Sequence, residues 1–298
     1  MKHRINTLIH SLGKLYRHVE RKRLLSSYVK HGRKPWSEGY SLYKEEFIRS
    51  SLNDANLMRL FREGKPLPGE YGKYLDERVV EYPWLFSRLS DIEGKALDAG
   101  STLNYAYLLS LLQKRSKEIT ISTLEPETNC FWAQRISYVY CDLREIPFKN
   151  DWFDELISIS VIEHMGMDNS LYTSNAKYIE RNPMDYLKAI EEFRRVTKPD
   201  GKLFITVPFG RYIDYGWYQQ FDAGMIDRII DTLHPSRVTE TYYCYENNGW
   251  TVCSREHCHE SVGFDIHDTK YFNPESKKDY DPDLAASSRA IAALEFIK

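Results

Sequence analysis

An α/β fold with a mostly parallel sheet is what residues 95–207 predict, on three observations. Short apolar runs alternate with helix-patterned segments, and strands joined through such crossovers pair in parallel with right-handed connections. The runs end in an ordered series of polar tips: Lys95-Ala96-Leu97-Asp98-Ala99-Gly100, then Tyr140-Cys141-Asp142-Leu143 running on to Ile146-Pro147-Phe148, then Phe153-Asp154 leading to Val161-Ile162-Glu163-His164. A turn, Lys198-Pro199-Asp200-Gly201, precedes a further apolar run. Polar tips in that order point to a nucleotide-like ligand along the carboxyl edge of the sheet.

Taken along the chain, Ile5, Leu8, Ile9, Leu12, Leu15, Tyr16 and Val19 fall at helical spacing, beside Lys14, Arg17, Arg21, Lys22 and Arg23, and predict a basic amphipathic helix. Such a helix either packs on a core or lies on an anionic membrane surface. Two short helices follow at about 41–52 and 54–63, then a helix from Arg78 to Leu89 in which Pro83 is tolerated if it falls in the first turn. The alternating region reads as strand Ala96–Ala99, helix Tyr105–Leu112, strands Ile119–Leu124, Tyr138–Cys141 and Leu156–Ser160, helix Asp185–Val196 and strand Lys202–Val207. After 210, Thr239–Tyr245 and Trp250–Ser254 flank Glu246-Asn247-Asn248-Gly249 as a hairpin, and Ala290–Ile297 returns as a closing strand. The expected organisation is a helical extension over 1–75 and an α/β domain over 76–298, with a substrate-cap insertion at about 211–285.

A chain of 298 residues that is 42% apolar can bury a full core. Its net charge of −2 argues against a general nucleic-acid binder, and the ten basic residues within 1–34, against one acid, leave the remainder acidic. No apolar run reaches the roughly 18–20 residues that span a bilayer. Five cysteines, odd in number, with no secretory signal ahead of them predict a reducing, cytoplasmic setting. Cys244, Cys253, His257, Cys258 and His259 invite a zinc reading, but their spacing is not that of paired knuckles, so they are taken as hairpin residues and no metal is expected. The spacing of Glu163, His164 and Asp168 matches no metal-binding pattern either.

Asp98-Ala99-Gly100 lets the chain turn sharply and brings a ligand to the main chain. A Gly-x-Gly-x-x-Gly cradle is absent, which disfavours a diphosphate ligand such as NAD, FAD or ATP. Ser101, Thr102 and Asn104 fill the loop, and Asn104, tolerant of a left-handed backbone, is expected to replace a later glycine. Glu125, at the tip of the second strand, suits a pair of ribose hydroxyls, although strict alignment puts Thr123 there. Asp142 and the Leu143 backbone N–H can accept from and donate to an adenine edge.

With these residues in place the chain resembles class I S-adenosylmethionine-dependent methyltransferases, over about 76–210 and again at 290–297. The resemblance is carried by Leu97-Asp98-Ala99-Gly100, Cys141-Asp142-Leu143 with Ile146-Pro147-Phe148, Phe153-Asp154, Val161-Ile162-Glu163-His164 and Val196-Thr197-Lys198-Pro199-Asp200-Gly201-Lys202-Leu203. It implies a Rossmann-like, seven-stranded, mostly parallel sheet with one antiparallel strand near its edge. The methionine part of S-adenosylmethionine would lie over Gly100 and the adenine near Asp142. The cofactor-binding set expected is Asp98, Gly100, Ser101, Glu125, Asp142, Leu143 and Ser160. His164 and Glu163 are the catalytic candidates; His164 serves as a general base, or the pair shapes the sheet edge. The acceptor expected is a carbohydrate or other small hydroxyl compound, possible in cell-envelope glycan synthesis, with peripheral membrane contact through the basic helix. The competing readings are a methyltransferase acting on RNA or protein and a non-catalytic binding protein that kept the sheet.

Overall fold

The computed structural model describes residues 16, 18–91, 93–115, 117–247 and 249–298. Most of the predicted basic amphipathic helix therefore lies outside the described residues. A helix, α1, covers residues 18–30, and two of its cations pair within the chain: Arg21 with Glu46, and Arg23 with Glu20 and Glu38. Next come α2 (Tyr40–Asn53), α3 (Ala55–Glu63) and α4 (Arg78–Arg88). Asp54 caps α3 by accepting from the backbone N–H groups of Asn56 and Leu57.

Pro83 sits in the interior of α4 rather than its first turn. A proline there has no N–H for the carbonyl four residues earlier, that of Val79. The buried Tyr71 hydroxyl donates to that carbonyl at 2.8 Å. Tyr71→Phe is expected to cost about 1–3 kcal/mol, the penalty of an unsatisfied buried carbonyl, measurable by urea denaturation. A change within experimental error would show that the helix relaxes without this bond.

The central sheet orders its strands β3-β2-β1-β4-β5-β10-β8-β9. In chain order they are β1 (Gly94–Ala99), β2 (Lys117–Thr123), β3 (Ser137–Tyr140), β4 (Phe153–Ile159), β5 (Thr197–Pro208), β8 (Arg237–Glu246), β9 (Gly249–Cys253) and β10 (Ala290–Ile297), with β6 (Ile213–Asp214) and β7 (Gln219–Gln220) forming a separate small hairpin. The first five pair in parallel, and β10 runs antiparallel between β5 and β8. The sheet thus has eight strands instead of the seven expected: the five parallel strands, β10, and both strands of the hairpin predicted at 239–254, β8 and β9. That also splits the expected cap at 211–285: residues 237–253 belong to the sheet.

Side chains alternate across the sheet as its two-residue period requires. Ile157, Ile159 and Phe204 pack toward α2, α3, α4 and α5 (Ala106–Lys114), whereas Leu156, Leu203 and Ile205 pack toward α7 (Tyr186–Val196) and α8 (Ala223–Leu233). Tyr40, Ile48, Leu57 and Phe61 share the first of these clusters, so the N-terminal helices complete one face of the sheet's own core. Helix α8 was not expected; Met225, Ile226, Ile229 and Leu233 have helical spacing, but the change of pattern after 210 hides them. Two short helices, α6 (Ser170–Thr173) and α9 (Arg255–Cys258), complete the described elements used below.

Candidate active site

The turn after β1 is organised by Asp98. Its buried carboxylate accepts the backbone N–H of Leu103 at 2.8 Å and of Thr102 at 3.2 Å, folding the loop back on the strand. Burial pushes the Asp98 carboxyl up to about 7, against the pull of the Leu103 and Thr102 bonds. Gly100 has φ +118°, and a Cβ there would sit 2.4 Å from Val161 Cγ2. Ser101, with φ +61°, takes the left-handed position that was expected of Asn104. Asn104 instead binds the Asn129 carbonyl through its amide NH2 and accepts from the Tyr138 hydroxyl. A carboxylate-closed turn with one glycine therefore does the work of the missing glycines.

A cavity of about 420 Å³ opens at the carboxyl edge of the parallel strands. Gly100 and Thr102 form one side, residues 123–128 at the tip of β2 another, and Leu143 a third. Ser160, Val161, His164 and Met165 follow β4, Asn169, Tyr172 and Thr173 belong to the α6 region, and Arg78 enters from α4. The expected residues Gly100, Glu125, Leu143, Ser160 and His164 thus meet around one space. Asp98 and Ser101 shape its floor from the turn without lining it.

Asp142 and Glu163 are also absent from the wall. Both Asp142 oxygens are taken by the Arg144 guanidinium, which goes on to bind Glu180 and Asp185. The carboxylate expected to meet an adenine amine instead ties the loop after β3 to the start of α7. Glu163 is 2% exposed, and among the described residues its Oε2 finds no hydrogen-bond partner. Burial drives its carboxyl well above the usual range, and it lies beneath the cavity wall without lining it.

Arg78, the first residue of α4, brings a cation to the cavity. It donates to Glu81 and to the Ile159 carbonyl while lining the cavity. Fully buried Glu81 also accepts from the Ser160 and Thr206 hydroxyls, each at 2.6 Å. Ser160 therefore spends its hydroxyl on Glu81 and offers the cavity its backbone, held at φ +47°. Glu77 lies in the same cluster, its carboxyl pushed up to about 7 by burial and by Asp76 and Glu81. The available signal was a charged i, i+3 pair, Arg78 and Glu81, in the first turn of a mostly apolar helix just ahead of β1.

His164 is half-buried in the cavity wall. Its Nδ1 lies 2.9 Å from the Trp217 carbonyl, which can only accept. The ring is thereby fixed as the Nδ1–H tautomer with a lone pair on Nε2. Burial lowers its pKa to about 4, opposed by the Trp217 bond and aided by Arg78, so the imidazole is neutral at physiological pH. Rings of Tyr172 and Trp217 lie 5.3 Å from it, centroid to centroid. Trp217 comes from the β6–β7 hairpin, far from the strand tips in sequence.

Residues 97–205 match the family model of a methyltransferase domain. Among solved structures, the chain is similar to the 1,6-didemethyltoxoflavin-N1-methyltransferase of Burkholderia thailandensis, at 13% identity over 96% of this chain and 90% of that one, with a TM-score of 0.42. The phosphoethanolamine N-methyltransferase 2 of Haemonchus contortus is 14% identical over 66% of this chain and 45% of that one, at a TM-score of 0.39. The YcgJ protein of Bacillus subtilis is 12% identical over 69% of this chain and 92% of that one, at a TM-score of 0.40. No curated protein matches the chain.

Proposed function

With residues 97–205 forming a class I, S-adenosylmethionine-dependent methyltransferase domain, we propose that the cavity at the strand tips transfers a methyl group to a hydroxyl of a carbohydrate or other small acceptor. The observation that carries this reading is His164: a neutral imidazole with its tautomer locked by Trp217 and an Nε2 lone pair for a proton. A hydroxyl needs that proton removed as it attacks, whereas an amine attacks through its own lone pair.

The residues present fit the cofactor. Gly100 lets the turn pack against Val161 at a distance no side chain would allow, and both line the cavity. S-adenosylmethionine supplies an electrophilic methyl group on a sulfonium sulfur when bound. Glu125 would accept from two ribose hydroxyls, Leu143 would pack on the adenine, and Arg78 would pair with the amino-acid carboxylate. Asp98 holds the loop that forms the floor, and Glu81 holds Ser160 and Arg78 in place. Aromatic rings beside His164 suit the apolar faces of a sugar. We place the reaction in the cytoplasm, on cell-envelope glycan intermediates, with the basic N-terminal segment meeting a membrane surface. No helix among the described residues is long and apolar enough to cross a membrane.

His164→Ala is expected to leave S-adenosylhomocysteine affinity within about threefold of the parent while turnover falls by about 10²–10⁴. The pH profile supplies a second readout. The base form of His164 persists until the pH falls to about 4, so the acid limb of turnover should lie near that value instead of the usual 6.5. Titration calorimetry and methyl transfer to a panel of saccharide, lipid-linked, amine and protein acceptors check both. Undiminished turnover in the variant, or transfer confined to amines or proteins, would defeat the hydroxyl reading. No binding of S-adenosylhomocysteine at millimolar concentration would defeat the enzyme reading altogether.

A further inference from the structure

On the opposite side of the sheet edge from the parallel strands, three cysteines converge. Cys244 lies on β8, Cys253 on β9 and Cys258 on α9, and their Sγ atoms all lie within 4.8 Å of one another. The register explains the first pair: Tyr242 faces Cys253 and Cys244 faces Thr251, so Cys244 and Cys253 are diagonal neighbours on one face. Helix α9 then turns back and brings Cys258 over them. A second triad shares Cys244: its sulfur, a Glu246 carboxylate oxygen and a His257 ring nitrogen also lie within 4.8 Å of one another. Cys244 and Cys258 are 3% and 0% exposed, so the thiols face the inside of the fold.

We propose that Cys244, Cys253 and Cys258, with His257 as fourth ligand, bind a zinc ion that pins α9 to the open edge of the sheet. Zinc bound by thiolates at about 2.3 Å in a tetrahedron separates its sulfurs by about 3.8 Å, so the Cys253 and Cys258 sulfurs, in bonding contact in the structure, would have to part to take it while all three stay within 4.8 Å. Three thiolates disfavour magnesium or calcium, which take oxygen ligands. The sulfurs of Cys253 and Cys258 are in bonding contact in the structure, yet their Cα atoms are 7.0 Å apart, beyond the roughly 4.4–6.8 Å usual for a disulfide. A disulfide would also leave Cys244 with no part in the cluster. A His257 ring nitrogen already lies within 4.8 Å of the Cys244 sulfur, so with the sulfurs reduced it would reach the metal by leaving its contact with Glu246.

The consequence reaches the active site. Just after α9, the Ser261 carbonyl accepts from the Arg211 backbone N–H and from the Gln220 amide, and the Gly263 N–H donates to Gln220. Gln220 belongs to the β6–β7 hairpin that delivers Trp217 to His164. A metal at the sheet edge would anchor the segment on which that hairpin rests.

The test uses the full chain purified under reducing conditions and analysed for metal by mass spectrometry. About one equivalent of zinc per chain is expected, falling at least tenfold in Cys244→Ser and Cys258→Ser and unchanged in Cys130→Ser, whose thiol lies outside the cluster. If the first two variants do not fold, the parent protein stripped of metal is titrated with cobalt(II), where a thiolate-to-cobalt charge-transfer band supports the site. A folded chain that takes up neither zinc nor cobalt, or a Cys253–Cys258 cross-link with Cys244 free to alkylation, overturns it. Methyl transfer is not needed for any of these readouts, so the outcome is separate from that of the proposed activity.

Discussion

Arg78→Ala is expected to lower stability by about 3–5 kcal/mol, the cost of stranding a buried carboxylate by removing its cation. Glu81 is fully buried and receives Arg78 on one oxygen and two hydroxyls on the other. Half-buried Glu77 and buried Glu163 lie close by, and the same guanidinium opposes the upward push that burial gives each carboxyl. Removing it leaves three acidic groups to neutralise or rearrange, and Ser160 and Thr206 lose a fixed partner. Because Arg78 also lines the cavity, S-adenosylhomocysteine affinity should fall with it. Urea denaturation of Arg78→Ala, of Glu81→Gln and of the double variant separates the two effects. If the pair acts as described, the double variant is less damaged than the sum of the singles, since no charge is then stranded at Glu81. Strict additivity, or a loss below about 1 kcal/mol in Arg78→Ala, would mean that the cluster is held by something else.

Gly100→Ala carries the second large effect. At φ +118° an alanine is strained by about 1–3 kcal/mol, and its Cβ would meet Val161 Cγ2 at 2.4 Å, so either the turn or the start of the β4 loop must move. Val161 and Gly100 both line the cavity, so the movement closes the space where a ligand would rest. Loss of S-adenosylhomocysteine affinity by about 100-fold or more is expected, with a lowered melting temperature. Calorimetry and thermal unfolding measure the two separately. A variant that binds and melts like the parent would show that the turn is not the cofactor floor.

Much of this architecture is written locally. The strands β1 to β5 end where glycine, proline or a polar tip interrupts an apolar run, and their parallel pairing follows from the helical crossovers between them. Gly100, Glu125, Leu143, Ser160 and His164 come to line one cavity because each stands at or just after such a tip, and a parallel sheet brings successive tips to one edge. The ion pairing of Asp142 was not legible for a physical reason: its partner Arg144 is two residues away, but the Glu180 and Asp185 carboxylates that fix that arginine arrive from another loop. That Glu163 is buried while His164 lines the cavity was not legible either, because only packing tells which of two adjacent residues faces it. Pro83 in mid-helix was tolerated through Tyr71, twelve residues upstream and outside the helix.

The sequence by itself determined the sheet, its carboxyl-edge cavity and the residues at its tips, since apolar periodicity and turn chemistry act over a few residues at a time. Only the tertiary structure decided what those residues face. Trp217, 53 residues beyond His164, sets its tautomer; Arg78 reaches the cavity because α4 crosses the tips; and Cys244, Cys253 and Cys258 meet only when β8, β9 and α9 pack together. Burial and long-range pairing set charge state and orientation, and neither is encoded in spacing along the chain.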